Sequence, residues 1–152
     1  MTPQEVQFTI AAVRAEETYP LRAEILMTGH GEASALHGDL APTTVHFAVS
    51  DRNRIVAVAS LCEETSCRTS QPGEWRLRGM AVHPSARGLG FGRLLVNLCV
   101  RHVREQRGNL IWCTARESAY RFYELLGFTR DVSPTSIVGR DDLTFYMMRR
   151  RL

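Results

Sequence analysis

A glycine-rich stretch at the predicted start of a helix is the part of this sequence that most directly indicates chemistry. It reads Arg87-Gly88-Leu89-Gly90-Phe91-Gly92 and follows an apolar strand end and a turn at Pro84. Glycine has no Cβ, so backbone N–H groups beside it can approach a ligand closely. The free N–H groups of a first helical turn, together with the positive end of the helix dipole, bind anions. The stretch therefore predicts a pyrophosphate site.

The composition excludes several kinds of phosphate site. The chain has no lysine, since all 19 of its basic residues are arginine. A Walker-type loop, the phosphate-pairing strand of a protein kinase and a pyridoxal Schiff base all require lysine. The dinucleotide fingerprint Gly-x-Gly-x-x-Gly is also a poor match, because the spacing here is Gly-x-Gly-x-Gly. Where that fingerprint needs an acid, the sequence is the apolar Leu110-Ile111-Trp112-Cys113.

Two motifs resemble those of the GCN5-related N-acetyltransferase (GNAT) superfamily. The cofactor signature of that family is Arg/Gln-x-x-Gly-x-Gly/Ala, and residues 87–92 match it at every specified position. The second motif, residues 115–128, is similar to the closing helix of the family, which ends in Phe-Tyr-Glu-x-x-Gly-Phe. The resemblance is close over residues 74–130, and on either side it extends only to the order of the elements.

The resemblance implies a fold and an activity. The expected fold is a mixed α/β acyl-CoA N-acyltransferase domain, with a central mixed sheet of about six to seven strands flanked by about four helices. A single domain would span residues 1–152. The implied reaction is direct transfer of an acetyl group from acetyl-CoA to a primary amine on a small molecule or a protein. The alternative from a different class is a coenzyme A-binding sensor or interaction module that has lost turnover.

The resemblance also assigns cofactor-binding residues. The backbone N–H groups of residues 87–92 would hold the pyrophosphate, and the Arg87 side chain could add charge-assisted contacts. In the family the central strand splays from its neighbour, and its free backbone groups pair with the pantetheine arm and the thioester carbonyl. Met80, Ala81 and Val82 occupy those positions here, and Gly79 would permit a bulge just before them. Ser118, at the start of the second motif, completes the set.

Tyr123 is the candidate general acid. Its position matches the tyrosine that protonates the departing thiolate in many relatives, and a phenol with a pKa near ~10 suits that role. The alternative is a half-buried aromatic side chain on an amphipathic helix. Tyr120, three residues earlier on the same helix face, is a weaker substitute.

No single general base stands out. Some relatives carry a glutamate on the central strand where this chain has Arg76. Glu74 lies two residues earlier on the same strand face and could act through a water molecule. Glu24, His46 and His83 are further options.

Three arginines are candidate acceptor-binding residues. Arg76 and Arg78 are predicted to project from the same strand face as Glu74, and Arg22 lies in the first helix. Guanidinium groups beside the acceptor would favour a molecule that carries a carboxylate or a phosphate. The alternative is that the strand arginines pair with acidic residues on neighbouring strands.

Periodicity and turn residues predict the elements that position these groups. Pro20 is expected in the first turn of the first helix, and Gly29 is expected to close it. The loop 28–43 could hold a short helix. The predicted strands are 6–13, 45–50, 55–61, 75–82, 110–114, 128–132 and 143–148, and the predicted helices are 19–27, 90–107 and 118–126.

The overall composition fits a soluble, cytoplasmic protein. The chain has 152 residues, of which 44% are hydrophobic and 23% charged, which is enough for one well-buried core. We predict no signal peptide, no membrane span and no nucleic-acid partner, and either a monomer or a homodimer. The four cysteines lack a metal-ligand spacing, so no metal is expected, and Cys99 and Cys113 are interpreted as core residues.

Overall fold

The structure, a computed structural model, describes residues 7–26, 35–66, 72–137 and 143–152. These residues form a mixed α/β fold with seven strands, three α-helices and one short 3-10 helix, Pro84–Ala86. The elements in chain order are β1 (Phe8–Val13), α1 (Ala15–Ile25), β2 (Val45–Asp51), β3 (Arg54–Glu63), β4 (Glu74–Val82), α2 (Phe91–Glu105), β5 (Leu110–Arg116), α3 (Tyr120–Leu125), β6 (Thr129–Arg130) and β7 (Phe145–Arg151).

The strands form one sheet in the order β1-β2-β3-β4-β5-β7-β6. Among the described strands, β4 and β5 pair in parallel, from Glu74 opposite Leu110 to Arg76 opposite Trp112. Parallel neighbours need a long crossover, and α2 supplies it. The strand β4 continues for six residues beyond that last pair. The predicted mixed sheet is confirmed, although the described residues contain three α-helices rather than about four.

The chain divides into two compact units. One comprises Met1–Cys62 with Gly79–Cys99, and the other comprises Glu63–Arg78 with Val100–Leu152. In the first unit, a buried cluster joins α1 to three strands; it consists of Leu21, Ala48, Val58 and Ala81. In the second unit, β5 is buried over most of its length. A single domain over residues 1–152 stays a prediction.

The helix α1 begins four residues earlier than the sequence patterns predict. The backbone N–H of Arg14 donates to the Glu17 carboxylate over 2.7 Å, and this contact starts the helix at Ala15. Pro20 therefore lies in the interior of the helix rather than in its first turn. The predicted end at Gly29 lies outside the described residues. Residues 35–43 of the predicted loop contain turns and no helix.

A one-residue bulge interrupts β4. The N–H of Glu64 donates to the carbonyl of Glu74 over 3.1 Å, and that of His83 donates to Val56 over 2.7 Å, so β3 and β4 run antiparallel. The segment along β4 between these two bonds, from Glu74 to His83, is one residue longer than the opposite segment from Val56 to Glu64. The extra residue of β4 has no partner on β3. Within that interval only Gly79 has a positive φ, +65°, which is typical of a bulge that contains a left-handed glycine.

The helix α2 matches its prediction closely. Its buried positions recur at helical spacing, and they are Leu95, Val96, Cys99, Val100 and Val103. Cys99 and Cys113 are both buried, as predicted, and burial raises the pKa of each thiol to about 12. None of the described helices is long and apolar enough to cross a membrane.

Candidate active site

The turn that precedes α2 is fixed by hydrogen bonds to its first residue. His83 donates its backbone N–H to Val56 of β3, and its Nδ1 accepts the N–H of Ser85 over 3.1 Å. Pro84 then starts the short 3-10 helix. These contacts fix the turn beside β3. Arg87 turns back to the end of β4, since its Nε donates to the carbonyl of Val82 over 3.4 Å.

The glycine-rich turn itself is exposed and open. Gly88 and Gly90 have φ values of +79° and +83°, a backbone conformation that favours glycine. A Cβ built on either residue would meet no described atom within 4 Å. Packing against the protein therefore does not account for these glycines. Their open faces are what a ligand that approaches the backbone closely would need.

The first turn of α2 offers the amides that an anion requires. The first intrahelical bond joins the Leu94 N–H to the Gly90 carbonyl over 3.0 Å. The N–H groups of residues 91–93 consequently have no acceptor within the helix. The 15-residue length of α2 gives it a dipole whose positive end lies at these amides. The turn and the helix start together offer the free amides that a pyrophosphate would need, and its binding there stays a prediction.

The three β4 residues assigned to the pantetheine arm follow the bulge directly. Ala81 is buried in the cluster with Leu21, while Met80 and Val82 are half-buried. The Arg87–Val82 bond brings this strand end and the glycine-rich turn together within one unit. Their cofactor contacts stay a prediction.

Arg22 is fully enclosed. Its side chain has 0% exposure, and its guanidinium donates twice to Asp39, from Nη1 over 2.7 Å and from Nη2 over 3.0 Å. The same Nη2 donates to the Ser60 hydroxyl over 2.6 Å. Burial would raise the pKa of Asp39, but the hydrogen bond and charge of Arg22, with help from the Leu36 N–H and His46, hold that pKa below its ordinary value.

His46 completes this buried network. Because a guanidinium can only donate, the Ser60 hydroxyl accepts from Arg22 and can donate to the Nδ1 of His46, 2.6 Å away. The Nε2 of His46 then donates to the Asp39 carbonyl over 3.0 Å. Acceptor binding by Arg22 stays a prediction, and so does a base role for His46.

Glu74 and Arg76 lie in the second unit and bond to nearby chain groups. Glu74 is buried, and its carboxylate accepts the N–H of Ser66 over 2.7 Å. Arg76 pairs with the Glu64 carboxylate over 2.8 Å, and its guanidinium lies 4.7 Å from the centre of the Trp112 ring. The predicted alternative for Arg76, a pairing with a neighbouring acid, is therefore present. Arg78 is half-buried. Base and acceptor roles for these residues stay predictions.

Tyr123 lies in α3 of the second unit and is only 7% exposed. Its ring packs edge-to-face against Phe122 and Phe128, with centroid distances of 5.0 Å and 5.5 Å. The Phe128 N–H also donates to its carbonyl. The ring of Tyr123 is therefore packed between two other aromatic rings. Ser118 lies in the exposed turn before α3.

The sequence patterns did not identify which residues pair with Arg22 and Arg76. Asp39 and Ser60 are 17 and 38 positions from Arg22, and Glu64 is 12 positions from Arg76. No local periodicity links residues at such separations. The structure also brings together two alternative bases, because the Glu24 carboxylate lies 3.3 Å from the His83 Nε2.

Comparison with known families gives one match over most of the chain. The model of the acetyltransferase (GNAT) family matches residues 10–128. An uncharacterized N-acetyltransferase of Bacillus subtilis (strain 168), YitI, is 25% identical over 131 residues, which cover 86% of this chain and 88% of YitI.

Solved structures show the same fold. An acyl-CoA N-acyltransferase from Pseudomonas aeruginosa is similar with a TM-score of 0.75 and 18% identity, over 96% of this chain and 99% of that one. An aminoglycoside 6'-N-acetyltransferase complexed with coenzyme A is similar with a TM-score of 0.74 and 17% identity, over 94% and 96% of the two chains. At these identities the likeness concerns the fold.

Proposed function

The chain belongs to the acetyltransferase (GNAT) family and is an acyltransferase, and on that premise we propose that it transfers an acetyl group from acetyl-CoA to a primary amine. The observation that carries the proposal is the open glycine-rich turn at the start of α2. No described atom lies within 4 Å of a Cβ built on Gly88 or Gly90, which leaves room for a pyrophosphate. The amides of residues 91–93 lie at the positive end of the helix dipole, where an anion would be stabilised. A family structure that contains coenzyme A supports this choice of ligand.

In this proposal the acceptor amine attacks the thioester carbonyl directly, without a covalent enzyme intermediate. A new C–N bond forms and the C–S bond breaks, so a developing oxyanion and a departing thiolate both need stabilisation. Backbone groups of Met80, Ala81 and Val82 serve the carbonyl and the pantetheine arm. The buried phenol of Tyr123, held by Phe122 and Phe128, supplies the proton for the thiolate.

The amine must also lose a proton. Glu74 is our proposed base, and it would act through a water molecule because its carboxylate is buried and already accepts the Ser66 N–H. Glu74→Gln keeps an oxygen that can accept that N–H, so the fold should persist. We expect turnover to fall by about 100-fold if the carboxylate is the base. Unchanged turnover in this variant would rule out Glu74 as the base and leave it a structural role.

The acceptor proposal follows from charge. Arg76 and Arg78 lie on β4, and Arg76 keeps 20% of its side chain exposed beside Glu64. We propose an acceptor that carries a carboxylate or a phosphate. Pairs of amines that differ only by a carboxylate test this, and equal kcat/KM values within each pair would end the idea.

The free, buried thiols of Cys99 and Cys113 support a reducing compartment, so we propose that the reaction takes place in the cytoplasm.

A coenzyme A-binding module without turnover is the second candidate. The observation that favours it is Arg76, which occupies the position of the family glutamate and is paired with Glu64. Release of free thiol from acetyl-CoA, measured across a panel of amines, separates the two candidates. Release that depends on the amine supports the transferase. Tight coenzyme A binding without release from any amine supports the module.

Tyr123→Phe tests the proposed acid in the same assay. The substitution removes one oxygen and keeps the ring contacts with Phe122 and Phe128, so the fold should be preserved. We expect kcat to fall by about 100-fold while coenzyme A affinity stays within about threefold of the wild type. Tyr120→Phe is the matched comparison, because Tyr120 is the weaker candidate on the same helix. A larger loss in Tyr120→Phe would transfer the role to that residue.

A further inference from the structure

The guanidinium of Arg22 lies directly against the bulge in β4. A Cβ built on Gly79 would fall 2.7 Å from the Nε of Arg22 and 3.1 Å from its Cζ. Gly79 also has a φ of +65°. Two observations therefore favour glycine at this position: the positive φ of the backbone and the close approach of the Arg22 side chain.

The guanidinium has little freedom to move. Both of its terminal nitrogens donate hydrogen bonds to the Asp39 carboxylate, and Nη2 also donates to the hydroxyl of Ser60, which lies on β3 beside β4. The free-energy cost of removing two charges from water often exceeds the attraction between them in a buried ion pair. Proteins in which such a pair is replaced by apolar residues are therefore often equally stable. Fold stability is therefore a weak reason for this cluster, whereas a fixed geometry at the bulge is a specific one.

We propose that Arg22 is a positioning residue: clamped by Asp39 and Ser60, its planar guanidinium holds the bulge at Gly79 and so sets the direction of the backbone groups of Met80, Ala81 and Val82. The inference rests on the proposed function, in which those groups serve the thioester and the pantetheine arm. Arg22 acts through the strand and does not touch the substrate.

A lysine cannot perform the same task. Glycine samples positive and negative φ with similar ease, so the bulge needs an outside contact to keep one conformation. Three atoms of the guanidinium, Nε, Cζ and Nη2, lie within 3.1 Å of a Cβ built on Gly79, while Asp39 and Ser60 fix its terminal nitrogens. The ammonium group of a lysine lacks the planar fork that makes these contacts together. Arg22→Lys should therefore lose the positioning although it keeps the charge that Asp39 needs.

The first test compares three variants of the full chain. Arg22→Lys and the charge-free double variant Arg22→Met/Asp39→Leu should each lower kcat by about 100-fold, since small misplacements of reacting groups are that costly. Coenzyme A affinity by calorimetry should fall by less than about tenfold, because the glycine-rich turn is untouched and only the contacts to the pantetheine arm are displaced. Arg14→Met, which removes an exposed arginine beside the same helix, is the control and should match the wild type. A double variant that folds and keeps wild-type kcat overturns the inference.

Coupling with Gly79 provides the second test. Gly79→Ala should reduce kcat strongly in the wild type, where the new Cβ meets the Arg22 Nε, and should add little further loss in the Arg22→Met/Asp39→Leu background. Fully independent losses in the two backgrounds would overturn the inference.

A third measurement does not depend on turnover. Backbone amide NMR shifts of residues 79–82 should change in the double variant well beyond their change in Arg14→Met. If the wild-type chain releases no thiol with any amine, the proposed function fails, and these shifts still decide whether Arg22 holds the bulge. Shifts that match the control would overturn the inference.

Discussion

Substitution of Gly90 by alanine is the sharpest test of the proposed pyrophosphate site. We expect it to lower the free energy of unfolding slightly and to raise the Kd for coenzyme A more strongly. In the structure a Cβ at Gly90 would meet no described atom within 4 Å, so Gly90→Ala introduces no clash. Its cost to folding is that of holding alanine at a φ of +83°. That conformation costs about 1–2 kcal/mol.

The cost to binding should be larger. The new methyl group would occupy the open face through which a pyrophosphate reaches the amides at the start of α2. Hydrogen bonds to a charged group contribute about 1.5–3 kcal/mol each. Loss of one such bond corresponds to an increase in the coenzyme A Kd of about 10- to 100-fold. The stability loss alone should lower Tm by about 2–8 °C in a chain of this size.

Gly127→Ala is the matched control. Gly127 has a φ of +90°, and a Cβ there would lie 3.4 Å from the nearest atom of Arg150, so the backbone strain is similar and the contact is tolerable. It lies in the turn after α3, outside the glycine-rich stretch. We expect a similar fall in Tm with an unchanged coenzyme A Kd.

The assays are thermal unfolding and calorimetric titration with coenzyme A, on the wild type and both variants. Wild-type affinity in Gly90→Ala, together with the expected fall in Tm, would refute the reasoning. Equal losses of affinity in Gly90→Ala and Gly127→Ala would refute it as well, since the effect would then follow from strain in general.

Two further predictions concern ionisable groups. The pKa of Asp39 is lower in the folded chain than its ordinary 3.8, so its stabilisation is complete above that pH and is lost as the pH falls through the folded-state pKa. Urea unfolding should show Asp39→Asn less stable than the wild type at pH 5–7, with a gap that narrows near pH 3; a gap independent of pH would contradict the assignment. With a pKa of about 12, roughly one Cys99 thiol in ten thousand is ionised at pH 8. Peptide mass spectrometry after iodoacetamide treatment at pH 8 should find Cys99 and Cys113 unmodified in native protein and modified after denaturation, and rapid native labelling would count against their burial.

Contiguous patterns predicted the parts of the fold whose causes are local. The helix α2 follows from apolar residues at helical spacing, and the hairpin of β2 and β3 follows from β-branched runs around the turn from Asp51 to Arg54. Pro20 misled the prediction of α1, because proline usually marks a first turn. The helix instead begins at Ala15, where Glu17 caps the preceding N–H.

The sequence alone determined the glycine-rich turn at the start of α2, because its glycines and the helix that follows them are consecutive in the chain. Only the tertiary structure decided the surroundings of Arg22. Its partners Asp39 and Ser60, and the bulge at Gly79, come from separate segments that meet when α1 packs on the sheet. Whether an arginine faces solvent or is enclosed depends on such distant contacts, since a helical position fixes only the direction of a side chain and not what covers it.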